Sequence, residues 1–239
     1  MISFILNNQL VRTDRPSGYS LVDFIRNDMK LTGTRTGCRE GDCGACLVLE
    51  GMLENGKTKY KSVLSCLTPL INADHKHIVT IEGLNHEELN QTQLQIAENH
   101  GTQCGFCTPG FILAFTGFAL SDIEPTYENV ISAISGNICR CTGYKSIERA
   151  AEKITSLLKN KDKADIPWLV SKNFVPEYFL SIPLRLSKIE TGSHEIVNPL
   201  SMVAGGTDIM VQKEEYLAAT ETGSFFNQPE LQEIGRAHV

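Results

Sequence analysis

The eight cysteines of this 239-residue chain fall into two sets of four, and none is left over. The first set reads Cys38-x4-Cys43-x2-Cys46 and is closed by Cys66. The second reads Cys104-x2-Cys107 and, after 31 residues, Cys139-x-Cys141. Four thiolates are what one 2Fe-2S cluster requires, so each set has the make-up of a ligand set. A chain that holds two such clusters moves electrons one at a time.

An even cysteine count also admits a disulfide framework. The N-terminus, Met1-Ile-Ser-Phe-Ile-Leu-Asn-Asn8, lacks the basic start and the apolar stretch with cleavage site of a secretory signal. The expected compartment is therefore the reducing cytoplasm, where clustered cysteines bind metals more often than they form disulfides. Zinc is the other alternative, but zinc sites favour two C-x2-C pairs. A net charge of −6 gives no footprint for nucleic acid or an anionic membrane. No apolar run approaches bilayer-spanning length. Neither nucleic acid nor membrane is expected as a partner.

Periodicity divides the chain into three parts. Residues 1–84 read as a small mixed α/β unit. Ile2, Phe4 and Leu6 alternate as one face of a strand, and Asn7-Asn8 can turn it back into Gln9-Leu10-Val11. Ser20-x-x-Asp23 reads as a capping box, with Tyr19 and Phe24 placed as a hydrophobic staple. Leu47–Leu49, Lys59–Val63 and Ile78–Ile81 read as further strands. Residues 85–159 change to the helical period: Tyr127, Val130, Ile131 and Ile134 make one stripe, Ile147, Ala150, Ala151, Ile154 and Leu158 another. Pro109 suits the first turn of a third helix carrying Phe111, Phe115 and Phe118, and Thr92–Asn99 makes a weaker fourth. Four short helices with facing stripes predict an all-α bundle. Residues 160–175, polar at first and followed by prolines, read as a linker. A third piece, residues 176–232, contains Met202-Val-Ala-Gly-Gly-Thr-Asp-Ile209.

In the first cysteine set, Gly37, Gly41 and Gly44 leave bare backbone beside the sulfurs. N–H groups can then point at the negative charge of a bound cluster and help set its potential. The spacing is that of plant-type ferredoxins. In the second set each cysteine pair lies just before a predicted helix, so two helix N-termini would face the anion and lower thiol pKa. That placement predicts a more buried cluster than one on a surface loop.

The stretches Gly37-Cys-Arg-Glu-Gly-Asp-Cys-Gly-Ala-Cys46, Gln103-Cys-Gly-Phe-Cys-Thr-Pro-Gly110 and Gly136-Asn-Ile-Cys-Arg-Cys-Thr-Gly143 resemble the iron–sulfur part of the molybdenum hydroxylases, the xanthine dehydrogenase and aldehyde oxidase family. The resemblance covers about residues 1–158 with every ligand position filled. It implies an α+β chain: a plant-ferredoxin-like (β-grasp) 2Fe-2S domain, then an all-α four-helix 2Fe-2S domain. Ligands would be Cys38, Cys43, Cys46 and Cys66 for one cluster, and Cys104, Cys107, Cys139 and Cys141 for the other. In such enzymes electrons leave a molybdopterin centre, cross the helical cluster and the ferredoxin-like cluster, and reach FAD. Gln103 and Cys141 would also touch the pterin edge of a cofactor carried on another polypeptide.

Residues Met202, Val203, Ala204, Gly205, Gly206, Thr207, Asp208 and Ile209 resemble the pyrophosphate-binding strand and turn that opens the family's α/β FAD-binding domain. Two glycines and a threonine offer N–H groups and a hydroxyl to phosphate. Fusion of cluster and flavin parts on one chain resembles the xanthine dehydrogenase branch. The flavin domain is expected to be incomplete, with Phe225–Leu231 a remnant. The final seven residues, Glu233-Ile-Gly-Arg-Ala-His-Val239, match one reading frame of a common sequencing adapter and are expected to be a non-native tail.

The six histidines, Glu40, Asp42 and Arg140 show no catalytic spacing, and no Ser-His-Asp or Cys-His nucleophile stands out. Substrate chemistry is therefore expected on another chain. The resemblance implies an electron-relay subunit of a purine-hydroxylating enzyme, paired with a large molybdopterin-binding subunit in a higher hetero-oligomer and passing electrons through FAD to NAD. Two alternatives stay open: the small subunit of an aldehyde or N-heterocycle oxidoreductase, and a freestanding 2Fe-2S electron carrier. A zinc-stabilised interaction protein is a third.

Overall fold

The computed structural model describes residues 1–85, 87–161, 165–189, 201–205, 207–220 and 222–224. Strands β1 (Ile2–Leu6) and β2 (Gln9–Thr13) form a hairpin in which Leu6 faces Gln9 across the Asn7-Asn8 turn. Asn7 takes the left-handed backbone (φ 54°) that asparagine tolerates. A single helical turn, α1 (Leu21–Asp23), is capped by the Ser20 hydroxyl and widens over Phe24–Asp28. The expected capping box is only half made. The Asp23 carboxylate takes a hydrogen bond from the Ser20 hydroxyl rather than from its backbone, and it also binds Arg39.

Strands β3 (Leu47–Glu54) and β4 (Lys57–Leu64) form a second hairpin. It turns at Asn55-Gly56, both with positive φ, the sequence and geometry a tight hairpin turn needs. Strand β5 (His77–Val79) then inserts between the hairpins, parallel to β1 and antiparallel to β3. The sheet order is β2-β1-β5-β3-β4. The last strand is shorter than the expected Ile78–Ile81, because Ile81–Leu84 coils into a tight turn of helix.

Both faces of the sheet are covered, and alternation along the strands explains why. Val48 joins Phe4, Leu6, Leu21, Phe24 and Ile25 in one core, while Leu47 and Leu49 turn to the opposite face. There they join the core of the helical layer, where Leu49 lies against Gly117. That layer comprises α2 (Gln91–Glu98), α3 (Thr108–Leu120), α4 (Tyr127–Ile134) and α5 (Lys145–Leu158). A full capping box at Asn90 and Gln93 opens α2. Helix α3 is buried along nearly its whole length, with the sheet on one side and helices on the other.

The stretch expected to be a linker is packed. Helix α6 (Ile166–Ser171) lies within it, and Leu169, Phe174 and Val175 are buried in the helical core. Trp168 stacks on Phe174. A tight turn at Glu177–Ser181 leads into α7 (Ile182–Leu186), whose Ile182 and Leu186 cover Ile5 on the sheet. Among the described residues, no helix is long and apolar enough to cross a membrane.

This return path is pinned by His77, which is fully buried. Its Nε2 lies 2.9 Å from the Asn7 carbonyl, which can only accept, so Nε2 carries the hydrogen. The other nitrogen therefore accepts from the Tyr60 hydroxyl at 2.7 Å. Rings of Tyr178 and Phe179 close over it. Burial pushes the His77 pKa down to about 3. In the unfolded chain the imidazole takes a proton near pH 6.5, and in the fold it does not. Its contribution is thus complete above pH 6.5 and is lost on acidification from 6.5 towards 3, at up to about 1.4 kcal/mol per pH unit. The expected result is that the wild-type chain is more stable than His77→Gln at pH 7 and that the gap narrows towards pH 5. Unfolding midpoints measured in parallel check this; a gap independent of pH would contradict it.

Beyond α7, strands β6 (Ser201–Val203) and β7 (Thr222–Ser224) pair in parallel around two short helices, α8 (Thr207–Gln212) and α9 (Glu214–Ala218). Val203, Met210 and Leu217 bury into the core beneath α1. Ser17 accepts the Thr222 amide at 2.6 Å, and Asn72 donates to the Ala204 carbonyl at 3.0 Å.

Candidate metal centres

The loop bearing the first three cysteines runs from α1 to β3, and Cys66 sits just after β4 in the short helical turn Ser65–Leu67. The β3–β4 hairpin therefore brackets Cys46 and Cys66, and both are buried. Cys38 and Cys43 approach to 3.3 Å between sulfurs, and Cys46 and Cys66 share a hydrogen bond. The loop needs left-handed backbone at Arg39, Gly41 and Gly44, which turns N–H groups inward. The Glu40 amide donates to the Cys38 sulfur at 3.4 Å. Gly37 is required by close approach, since a Cβ there would lie 2.8 Å from the Cys43 sulfur.

The second set gathers at the end of the helical layer where α3 and α5 begin. Cys107 is the N-cap residue of α3, and Tyr144 is that of α5. Cys104 and Cys141 lie 3.5 Å apart, and Cys107 hydrogen-bonds Cys139. Three neighbours that spacing alone did not single out complete the loop. Tyr144 Oη accepts the Cys139 amide at 3.1 Å, the Thr142 hydroxyl lies 3.2 Å from the Cys139 sulfur, and Asn137 is buried against the first loop. Their signal in the sequence is adjacency to ligand positions, nothing more specific.

The protonation pattern is that of thiols sharing protons in pairs. The hydrogen bond from Cys66 brings Cys46 down to about 7, while Cys66, as donor and by burial, is raised far above the thiol range. The Phe106 amide, then the Cys141 thiol, lower Cys104, and Cys141 is raised by donating to it. Burial, then the hydrogen bond to Cys139, pushes Cys107 up to about 12. Burial opposes ionisation of Cys139, but hydrogen bonds from Thr142 and Cys107 outweigh it and leave its pKa lowered. Binding metal would expel the protons that remain.

All eight cysteines are free thiols. A tetrahedral zinc site needs four donors around one ion, whereas a binuclear core divides four thiolates two to each iron. Sulfurs gathered as two adjacent pairs per set, backed by inward amides, fit the binuclear core.

One expectation is reversed in this chain: the second set is the more exposed. Cys104 and Cys141 are exposed, as is Gln103, whereas Cys46 and Cys66 are buried. The cysteine pairs cap the layer from its end instead of lying between helices. Phe106, Ile138 and Tyr144 are exposed around them, an apolar rim beside the expected ligand cysteines.

The phosphate-binding motif is divided. Val203 is buried, Met202 and Ile209 are half-buried, and Ala204, Gly205, Thr207 and Asp208 are exposed; Gly206 lies outside the described residues. A cavity of about 310 Å³ opens beside the turn, lined by Gly205, Thr207, Asn72, Lys61 and Lys76. Both lysines pair with the buried Glu50 at 3.1 Å. Arg39, next to Cys38, bridges Asp23 at 2.5 Å and Glu214 of α9 at 2.7 Å, tying this segment to the first loop. Phe225–Leu231 and the final seven residues lie outside the described residues.

Residues 4–70 match the family model of the 2Fe-2S iron-sulfur cluster binding domain, and residues 80–152 that of a second 2Fe-2S binding domain. The chain is 37% identical over 150 residues to xanthine dehydrogenase/oxidase of Mus musculus, covering 62% of this chain and 11% of that protein. It is 41% identical over 144 residues to the nicotine 6-hydroxylase small subunit of Paenarthrobacter nicotinovorans, covering 60% of this chain and 82% of the relative. A chain of quinoline 2-oxidoreductase from Pseudomonas putida 86 superposes with a TM-score of 0.55 at 32% identity, over 68% of this chain and 96% of its own length. The chain thus spans about a ninth of the long relatives and most of the small subunits.

Proposed function

Because the chain belongs to the 2Fe-2S subunit family of xanthine dehydrogenase-type molybdenum hydroxylases, we propose that it relays electrons out of a molybdenum-containing partner subunit. Cys38, Cys43, Cys46 and Cys66 hold one cluster, and Cys104, Cys107, Cys139 and Cys141 the other. The clusters supply one-electron storage, and the chain's own residues set their environment. Inward amides at Glu40 and Phe106 stabilise thiolate charge, and Thr142 and Tyr144 orient Cys139. The observation that carries the reading is the gathering of all eight sulfurs into two sets of paired contacts at the positions the motifs require.

The large molybdopterin chain docks on the exposed end that carries Gln103, Cys104 and Cys141, with the pterin edge against Gln103 and Cys141. The rim of Phe106, Ile138 and Tyr144 supports this, because an exposed apolar rim beside ligand cysteines calls for cover. At the other end of the relay, Met202–Ile209 would hold the FAD pyrophosphate within a larger flavin domain, and the Arg39–Glu214 bridge brings that segment to the first loop. Purine is the substrate of the assembled enzyme, NAD the final acceptor and the cytoplasm its compartment. The match to 82% of a nicotine 6-hydroxylase small subunit favours one second reading, an N-heterocycle as substrate.

Expression with and without its neighbouring genes tests the proposal. The anaerobically purified chain should be brown, contain about four irons and show two distinct EPR signals on reduction. It should also co-purify with a large molybdopterin-bearing chain. A colourless zinc protein, or a two-cluster protein that never associates, would overturn the subunit assignment.

A further inference from the structure

Arg39, one residue after Cys38, serves the first loop with both its backbone and its side chain. The backbone takes a left-handed turn (φ 61°), which residues with a Cβ rarely adopt, and the Glu40 amide that follows donates to the Cys38 sulfur at 3.4 Å. The side chain is held from outside the loop. Its guanidinium grips Asp23 with both terminal nitrogens, at 2.5 and 3.1 Å, and one of them also reaches Glu214 of α9 at 2.7 Å. Asp23 is fixed in turn on α1, where its amide donates to Ser20 Oγ and its carboxylate accepts from that hydroxyl. A planar cation pinned at two teeth can hold a backbone conformation that is unfavourable by itself.

The contact with Glu214 differs in kind from the rest of the seat on which α8 and α9 rest. Leu217 lays its backbone against Gly18, where a Cβ would lie 2.2 Å from the Leu217 carbonyl. Ser17 takes the Thr222 amide, and Ser224 donates to Asn72 at 2.7 Å. Those contacts are neutral. Among the described residues, Arg39–Glu214 is the ion pair that joins residues 201–224 to the first cysteine loop.

We propose that Arg39 is a positioning residue for the first cluster, holding the Glu40 amide on Cys38 through its grip on Asp23, and that Glu214 shares its charge, so that the seating of α9 and the reduction of that cluster are coupled. The inference deepens the two-cluster reading and rests on it. An electron taken up at the first ligand set adds one negative charge there and breaks no bond. Arg39 stabilises that charge, whereas Glu214, drawing on the same guanidinium, opposes it. Coupling between two sites is reciprocal, so whatever Glu214 does to reduction, reduction does to the Glu214 contact. Helix α9 is therefore held more loosely on the reduced chain than on the oxidised one.

The test uses the full chain carrying both clusters, as wild type, Arg39→Gln and Glu214→Gln. A redox titration followed by EPR reads each centre separately. Arg39→Gln is expected to move the first centre to lower potential and Glu214→Gln to move it higher, with the second centre unmoved. At a fixed poise each shift should change the reduced-to-oxidised ratio roughly three- to tenfold, the worth of one charge near a protein surface. Hydrogen exchange of the α9 amides should quicken when the wild type is reduced with dithionite, and that difference should shrink in Glu214→Gln. Shifts of the same sign in both variants, or no shift with full iron, would overturn the proposal, as would α9 exchange in the wild type that ignores reduction. If Arg39→Gln fails to assemble the first cluster, Glu214→Gln decides alone, since it leaves the Asp23 grip intact: a rise supports the coupling and no change refutes it. A wild-type chain without two reducible clusters would instead defeat the parent reading, so the two failures are distinguishable.

Discussion

Cys46→Ala is expected to halve the iron of the purified chain, from about four to about two per polypeptide, and to erase one EPR signal while sparing the other. Cys46 is 2% exposed and forms the hydrogen-bonded pair with Cys66 that would grip one iron. Alanine leaves that iron with a single thiolate. The loop itself should survive, because its backbone is held independently: the Cys46 carbonyl accepts the Ser65 amide at 3.2 Å and the Ser65 hydroxyl at 2.6 Å. The second ligand set stands on α3 and α5 and does not depend on Cys46. Iron analysis with EPR of the reduced protein checks this. Full iron would remove Cys46 from the ligand set, and loss of both signals would show that the two centres do not assemble separately.

Phe115→Ala should destabilise the chain by about 3–5 kcal/mol, the usual cost of emptying a core phenylalanine site. Phe115 is fully buried in the core shared by α3, the sheet and the other helices, with Phe111 one turn before it and Phe118 one turn after. The loss is not confined to packing. Helix α3 opens at Cys107 and brings Gly110 against Gly44, so a loosened helix also unseats the second ligand set. The variant should shed iron from that centre at a temperature the wild type tolerates. Denaturant unfolding of the iron-free chain gives the stability term, and a cost below about 1 kcal/mol would mean that Phe115 is not a core residue.

What could be read from the sequence was what repeats locally. The first hairpin and the stripes of α3, α4 and α5 are short-range patterns, and each is present in the fold. What could not be read depends on partners far along the chain. Residues 160–175 look like a linker because charges and prolines crowd its start, yet Leu169, Phe174 and Val175 find a core more than 50 residues upstream in the stripes of α2 and α3. His77 shows no spacing that marks it, since its partners Asn7 and Tyr60 lie 70 and 17 residues away. The packing of α8 and α9 against α1 is legible only once Gly18 and Leu217 are seen in contact. Burial of the second centre was misjudged for a different reason. Helix N-termini do face those cysteines, but they do so at the rim of the layer, where Cys104 and Cys141 stay exposed among the described residues.

Strand β5 sits in the middle of the sheet although it is the last strand of that sheet to be made. Both hairpins can close on neighbours in sequence, and Cys38, Cys43, Cys46 and Cys66 have all left the ribosome before His77 has. The central strand must then wedge between two finished ribbons, joining β1 across some seventy residues, which is the slow, non-local kind of step in assembly. A centre assembled on these four cysteines would therefore have a natural window, when the sulfurs are already synthesised but the sheet beneath them has yet to be zipped shut.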